Sequence, residues 1–253
     1  MIVGILETGE VSSPLGARFG SYPEMFEAMF ERVSVDFDFF TVSIVSGEFP
    51  QAPEDANGWL VTGSRHGVYD SLPWIAPLEA FLREAIAARV PVVGICFGHQ
   101  ILAQALGGSA RKWEGGWNLG VQEYRLQARP AWLHGVPDTF SLNAVHQDQV
   151  VSLPEDAHCL AVSDGCAVSA VAYGPIETPY AVSVQPHPEF STTYVGALLE
   201  ARAGSVFPPQ DVEEARQTLD QQVESEAWAR ALAAYFRRAN AARLASTLDA
   251  LRG

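Results

Sequence analysis

The sequence predicts an α/β protein: an open, mostly parallel sheet with helices on both faces, an antiparallel extension and a helical C-terminal appendage. Three observations carry that expectation. Up to Leu106, short apolar runs alternate with segments of helical periodicity in the order β-α-β-β-α-β-α, and one crossover after another favours parallel pairing. From Ala110 to Val184 the texture changes to short alternating strands separated by turns, which suits an antiparallel or mixed extension of the sheet. Beyond Phe190 the pattern is helical.

Taken in order, Ile2–Leu6 reads as an opening strand. It has no basic region before it and is too short for a signal core, so a cytoplasmic address is expected. The Gly-, Ser- and Pro-rich stretch from Glu7 to Gly20 reads as a loop, Pro23–Phe30 as a helix and Phe37–Val45 as a second strand. Asn57-Gly58 leads into a short buried strand, Trp59–Thr62, that ends at Gly63-Ser64. Open α/β sheets place their sites at such strand ends. The loop Ser64–Asp70 carries His66, readable as a substrate contact or as a solvated loop histidine, and a helix follows from about Trp74 to Ala88.

The run Val90–Ile95 is continuous, apolar and rich in β-branched residues, as expected of a strand covered on both faces. It ends abruptly at Cys96 and turns into a helix, Gln100–Leu106, stopped by Gly107-Gly108. Gly94 and Gly98 flank the cysteine, so backbone passes close on either side. A thiol at a helix N-terminus meets free N–H groups and the positive end of the dipole, which favour a thiolate. This is the cysteine version of a nucleophile elbow. A buried structural cysteine is the alternative; the flanking glycines and the polar pair His99-Gln100 argue against it.

Further strands are expected at Gly120–Leu126, Phe140–Val145, Gln149–Leu153, Cys159–Val162, Ala167–Tyr173 and Tyr180–Val184. Two of them end in titratable groups, His146-Gln147-Asp148 and Gln185-Pro-His-Pro-Glu189. Ser191 can cap a helix that closes near Gly204, and Phe207-Pro208-Pro209 breaks the chain before a helix with Asp211, Glu213 and Glu214 in its first turn. In the last segment Trp228, Leu232, Tyr235, Phe236 and Ala239 share one helical face. That face can pack on the main domain, or meet a partner or a second copy of the chain.

Composition narrows the function classes. The formal charge of −14 and the absence of any long Lys/Arg cluster argue against nucleic acid. No apolar run approaches the roughly 18–20 residues of a membrane span. Cys96, Cys159 and Cys166 form no CxxC pair and are odd in number, so neither a zinc site nor a disulfide framework is indicated. No cofactor signature is present.

A nucleophilic thiol needs a base, and the base an orienting group. His187 is the best candidate base: two prolines stiffen its backbone and Glu189 lies two residues on. In an extended segment residues i and i+2 point the same way, so Glu189 can reach the His187 ring and hold one tautomer.

Gly94-x-Cys96-x-Gly98-His99-Gln100, followed by Pro186-His187-Pro188-Glu189, resembles the class I (triad) glutamine amidotransferase family over residues 1–195, with a flavodoxin-like fold. The resemblance implies a Cys-His-Glu triad that cleaves a γ-glutamyl amide through a thioester, with Cys96 as nucleophile, His187 as base and acid, and Glu189 as orienter. It implies oxyanion donors at Phe97 and at Gly63 or its neighbour; Thr62-Gly63-Ser64-Arg65 stands where many members have Gly-Gly-Pro. Gln100 and His146 would contact the substrate. The motif His146-Gln-Asp-Gln-Val150 is similar to the His-Gln-Asp-Glu-Val of free-standing members, which include γ-glutamyl peptidases.

On this reading residues 1–195 form the catalytic domain, and 196–253 a helical extension packed on it, too short for an ATP-dependent acceptor domain. The expected ligand is a small γ-glutamyl compound, with neither cofactor nor metal. Two alternatives stand beside the hydrolase: a glutaminase subunit that delivers ammonia to a separate synthetase, and a non-catalytic member that kept the fold. Intact Cys96, His187 and Glu189 argue against the last.

Overall fold

The computed structural model describes residues 1–34 and 36–250, with the backbone alone for 247–250. Residues 251–253, the end of the expected 196–253 extension, lie outside the described residues. The first half of the chain contains β1 (Ile2–Glu7), α1 (Ser13–Phe19), α2 (Tyr22–Glu31), β2 (Asp38–Ser43), β3 (Gly58–Val61), α3 (Ile75–Ala87), β4 (Val92–Ile95) and α4 (Phe97–Ala105). Then follow β5 (Ser109–Lys112), β6 (Asn118–Leu126), β7 (Thr139–His146), β8 (Asp148–Ser152), β9 (Ala157–Val162), β10 (Ala170–Tyr173) and β11 (Ala181–Val184). The chain closes with α5 (Thr192–Arg202), α6 (Pro209–Arg216) and α7 (Ser225–Ala250).

Nine strands form one sheet in the order β2-β1-β3-β4-β11-β10-β9-β6-β7, and β5 pairs with β8 in a separate antiparallel ribbon. The set β2-β1-β3-β4-β11 is parallel, and β10, β9, β6 and β7 continue it in antiparallel pairs. The segment from Ala110 to Val184 is therefore mixed: its last strand, β11, runs parallel to β4 and antiparallel to β10.

The central strands are apolar throughout because both faces are covered. Alternate residues serve opposite layers. Val3, Ile5, Leu60, Val93 and Ile95 pack with Phe26 and Phe30 of α2 and with α7. Leu6, Trp59, Val61 and Val92 pack with α3 and with Ile101 and Leu102 of α4. The apolar face of α7 lies on the first layer. Trp228, Leu232, Tyr235 and Phe236 are fully buried there, and the Tyr235 hydroxyl donates to the Tyr180 carbonyl at 2.9 Å. At the foot of α7, the Glu224 N–H donates to the Ser141 carbonyl at 2.9 Å.

Some elements differ from the sequence reading. The loop expected over residues 7–20 contains α1. Pro14 sits in its first turn and Gly20 ends it at φ 82°, positions where these residues punctuate a helix rather than prevent one. The second strand stops at Ser43, and Ile44–Ser46 tightens into a 3-10 turn. Strand β5 was not expected; its pattern is one buried residue among exposed ones, without a periodic apolar signal. The α6 helix opens at Pro209, so Glu213 and Glu214 fall beyond the first turn that holds Asp211.

Phe236 touches the Phe30 and Phe37 rings and lies over Gly58, where a Cβ would come within 2.8 Å of its ring. Phe236→Ala should cost about 3–5 kcal/mol of stability, read as a lower urea midpoint at an unchanged slope. A loss below about 0.5 kcal/mol, the level of an ordinary surface change, would mean that α7 is not part of the core.

Candidate active site

The site lies at the C-terminal ends of the parallel strands, and its sharpest feature is the turn at Cys96. This residue has φ 55° and ψ −102°, a region costly for a side chain with a Cβ, by roughly 1–3 kcal/mol. Close packing on both sides sustains it. A Cβ on Gly94 would lie 2.3 Å from the Gly98 carbonyl oxygen, and one on Gly98 would lie 2.4 Å from that of Val61. Only glycine lets α4 approach the sheet this closely. The Cys96 N–H donates to the Val184 carbonyl at 2.9 Å. The helix starts at Phe97, three residues before the expected start at Gln100. Glycine reads as a poor helix former, yet here Gly98 lies in the first turn. The Phe97 N–H therefore opens the helix, where it has no intrahelical acceptor.

The structure brings His187 to the same place from the neighbouring strand. The register pairs Val184 with Ile95, so the two chains emerge from the sheet side by side. The His187 N–H donates to the Asn143 carbonyl at 2.8 Å, and the Asn143 amide donates to the Phe190 carbonyl at 2.9 Å. The His187 ring stacks on Phe190, centroids 3.9 Å apart and 4° from parallel. Its Nδ1 lies 2.6 Å from Glu189 Oε1, with both side chains buried. Burial works against the charged ring, but the Glu189 carboxylate outweighs it, with the Cys96 sulfur adding attraction and a hydrogen bond; His187 is raised to about 10. With Nδ1 turned to Glu189, Nε2 is left for the thiol.

Gly63, two residues past the end of β3, lies beside this pair. A Cβ there would sit 3.1 Å from His187 Cε1 and 3.7 Å from Cys96 Cβ, so the bare backbone faces both. Thr8, at the end of β1, fastens this strand end. Its N–H donates to Thr62 Oγ1 at 3.0 Å and its hydroxyl to the Thr62 carbonyl at 2.9 Å.

Gln100 and His146 line the cavity above Cys96, and both bond the Asp148 carbonyl, at 2.9 Å from Gln100 Nε2 and 3.2 Å from His146 Nδ1. A carbonyl accepts only from N–H, so His146 carries its proton on Nδ1. Its Nε2 is then an acceptor, buried and without a partner among the described residues. Burial lowers His146 to about 3, so the ring is neutral. Gln100 also donates to Gln185 Oε1 at 3.1 Å. His99, part of the polar pair that argued for a site, has a structural task. It bonds Ser183 Oγ at 2.7 Å and the Val168 carbonyl at 3.2 Å, fixing α4 to β11. His66 reaches the cavity wall and lies 3.6 Å from Asp70.

The cavity measures about 460 Å³, within the usual range for small-ligand sites. A thiol at a helix N-terminus, a histidine backed by a carboxylate and the close backbone of Gly63 make an arrangement of the kind that can support acyl transfer. Among the described residues, no cluster of His, Cys, Asp and Glu could hold a metal ion, and no helix is long and apolar enough to cross a membrane.

The family model for class-I glutamine amidotransferases matches residues 23–202. The chain belongs to that family. Its relatives include γ-glutamyl peptidase 5 of Arabidopsis thaliana, 27% identical over 210 residues that cover 80% of this chain and 81% of that one. A glutamine-hydrolysing GMP synthase subunit of Methanospirillum hungatei is 36% identical over 113 residues, 45% of this chain and 58% of that one. A glutamine amidotransferase from Thermotoga maritima has the same fold, with a TM-score of 0.71 at 21% identity over 94% of this chain and 98% of that one.

In this family member the sequence reading missed Thr8, Asn143 and Phe190, which hold the strand ends and the His187 ring. Only Phe190 carried a signal, its adjacency to the His-Pro-Glu motif. Because His187 is raised from about 6.5 to about 10, its protonation stabilises the fold fully below about pH 6.5, and that contribution is lost as pH rises through 10. Glu189→Gln removes the principal cause. Urea midpoints between pH 6.5 and 10 should fall more steeply for wild type than for the variant; parallel curves would refute the assignment.

Proposed function

We propose that the chain hydrolyses γ-glutamyl amide bonds through a thioester on Cys96. The observation that carries this reading is the buried His187–Glu189 pair, 2.6 Å apart, turned toward Cys96 at the floor of the cavity. His187, raised to about 10, already holds the thiol proton when Sγ attacks the γ-carbonyl carbon. The Phe97 N–H, with that of Gly63 or its neighbour, holds the developing oxyanion, an effect worth several kcal/mol in comparable sites. The C–N bond breaks as His187 returns the proton to the leaving amine. Water, deprotonated by the same ring, then splits the thioester to release glutamate and restore the thiol. Glu189 keeps the proton-accepting Nε2 facing the sulfur and stabilises the imidazolium formed in each half. The acceptors His146 Nε2 and Gln100 Oε1 suit the donors of a glutamyl α-ammonium group. The relatives named γ-glutamyl peptidase support this reading.

A second reading is favoured by the relatives named as glutamine-hydrolysing GMP synthase subunits: a glutaminase that passes ammonia to a synthetase on another chain. We take residues 196–253 as a helical extension packed on residues 1–195. Glutaminase activity that appears only on mixing with a co-purifying ATP-dependent synthetase would decide for this reading.

Glutamate release should be measured from glutamine and from a panel of γ-glutamyl peptides. Cys96→Ala should abolish it, and His187→Gln should lower kcat by at least about 10³-fold. Equal release by wild type and Cys96→Ala from every compound would end the hydrolase reading. A γ-glutamyl chloroketone should alkylate wild type at Cys96, and alkylation should slow in Glu189→Gln; labelling at Cys159 or Cys166 instead would place the nucleophile elsewhere.

A further inference from the structure

The cavity extends well beyond the reacting atoms, and its outer half differs in chemistry from its floor. One wall is apolar: Trp117, Leu198, Val206 and Phe207. Trp117 and Phe207 meet edge to face with centroids 4.8 Å apart, and Val206 stays 44% exposed. The same lining also carries Arg65, from the loop after β3, and Arg202, from the end of α5 one turn beyond Leu198. Both arginines also line a second cavity that adjoins the first, so they stand where the two meet.

Among the described residues neither guanidinium pairs with a carboxylate, although the chain has nearly twice as many acidic as basic side chains. Glu10 lines the second cavity beside both arginines without pairing with either, and the two acids that line the first cavity are otherwise engaged. Asp148 accepts from the Tyr69 hydroxyl at 2.8 Å, and Asp70 accepts from the Gly67 N–H at 3.0 Å. Two guanidiniums without a carboxylate partner, side by side where the two cavities meet, form a site for a carboxylate, which arginine binds in a two-pronged manner.

Ammonia, the leaving group from glutamine, would use none of these features. We propose that the leaving group is an amino acid or short peptide with a free carboxylate and an apolar side chain: the scissile nitrogen at Cys96, the carboxylate on Arg65 and Arg202, the side chain on Trp117, Leu198, Val206 and Phe207. This rests on the hydrolase reading above and names its substrate class. Hydrolysis of such a compound consumes one water and yields glutamate and the free amine, with no oxidant or co-substrate.

The test compares kcat/KM for γ-glutamyl-leucine, its C-terminal amide and γ-glutamyl-serine. Wild type should prefer the free acid over the amide by roughly tenfold, the loss expected when a charge-assisted hydrogen bond is removed. In Arg202→Gln and Arg65→Gln that acid-to-amide ratio should fall toward one, and Arg202→Lys should retain part of it. Phe207→Ala should shrink the preference for leucine over serine. Equal rates for acid and amide in wild type, or a ratio untouched by the arginine variants, would overturn the subsite while leaving the hydrolase intact. Glutamate from none of these compounds and none from glutamine, with Cys96 unlabelled, would instead remove the hydrolase reading and this one with it.

Discussion

Everything at the site depends on the parallel pairing of β4 with β11. Val184 lies beside Ile95, and the Cys96 N–H is bound to the Val184 carbonyl. This places the start of α4 and the segment after β11 side by side, although the β5–β10 segment separates them in the chain. A slip of one residue would be severe, because it would exchange the two faces of β11. Val182 and Val184 would leave the layer they share with α7, and Ser183 would turn away from His99. The core and the site therefore fix the same register, and neither can shift without the other.

The three histidines around this pairing show how environment divides one residue type into different tasks. His99, His146 and His187 are all buried. For His99 and His146 the neighbours are carbonyl and hydroxyl groups. Desolvation then decides, and each is driven to about 3. His187 bears the same desolvation, but Glu189 lies 2.6 Å away and the Cys96 sulfur lies beside it, so the direction reverses. One carboxylate separates a neutral imidazole, structural like His99 or lining the cavity like His146, from one that can hold a proton. Phe190 stacked on its face and Asn143 on its backbone leave that ring little freedom to turn.

The parallel core was legible because strands covered on both faces must be apolar throughout, as Trp59–Val61 and Val92–Ile95 are. The elbow was legible because two glycines around a cysteine have few other uses. What stayed hidden depends on tertiary proximity. Ser12, Pro14 and Gly20 have turn-forming composition, and only their positions relative to one another mark a helix. His99 looked like a site residue because a polar side chain was not expected in a buried helix; its partner Ser183 lies far along the chain. Asn143 and Arg202 carried no local pattern, since their significance comes from what the fold brings beside them.

The division of labour within the cavity follows from the same constraint. Its floor is built from strand ends, whose positions the sheet register fixes, and it has no room for variation: a Cβ on Gly94, Gly98 or Gly63 meets an atom within 3.1 Å. Its outer wall is built from α5 and the hook that follows it. There the Gly204 N–H bonds the Phe207 carbonyl, and Phe207 wedges against Trp117. Val206 and Phe207 lie just past residue 202, where the match to the family ends. Farther along, Thr218 ties the segment back to the sheet through the Val121 N–H at 2.8 Å. Such elements can change length and side chains without disturbing β4 or β11. A scaffold that holds the reacting groups rigidly and leaves the outer wall to a surface segment can keep one chemistry while altering the leaving group it admits. On the proposed reading, selectivity would rest on α5 and its hook together with Trp117 and the loop that carries Arg65, and reactivity on the sheet.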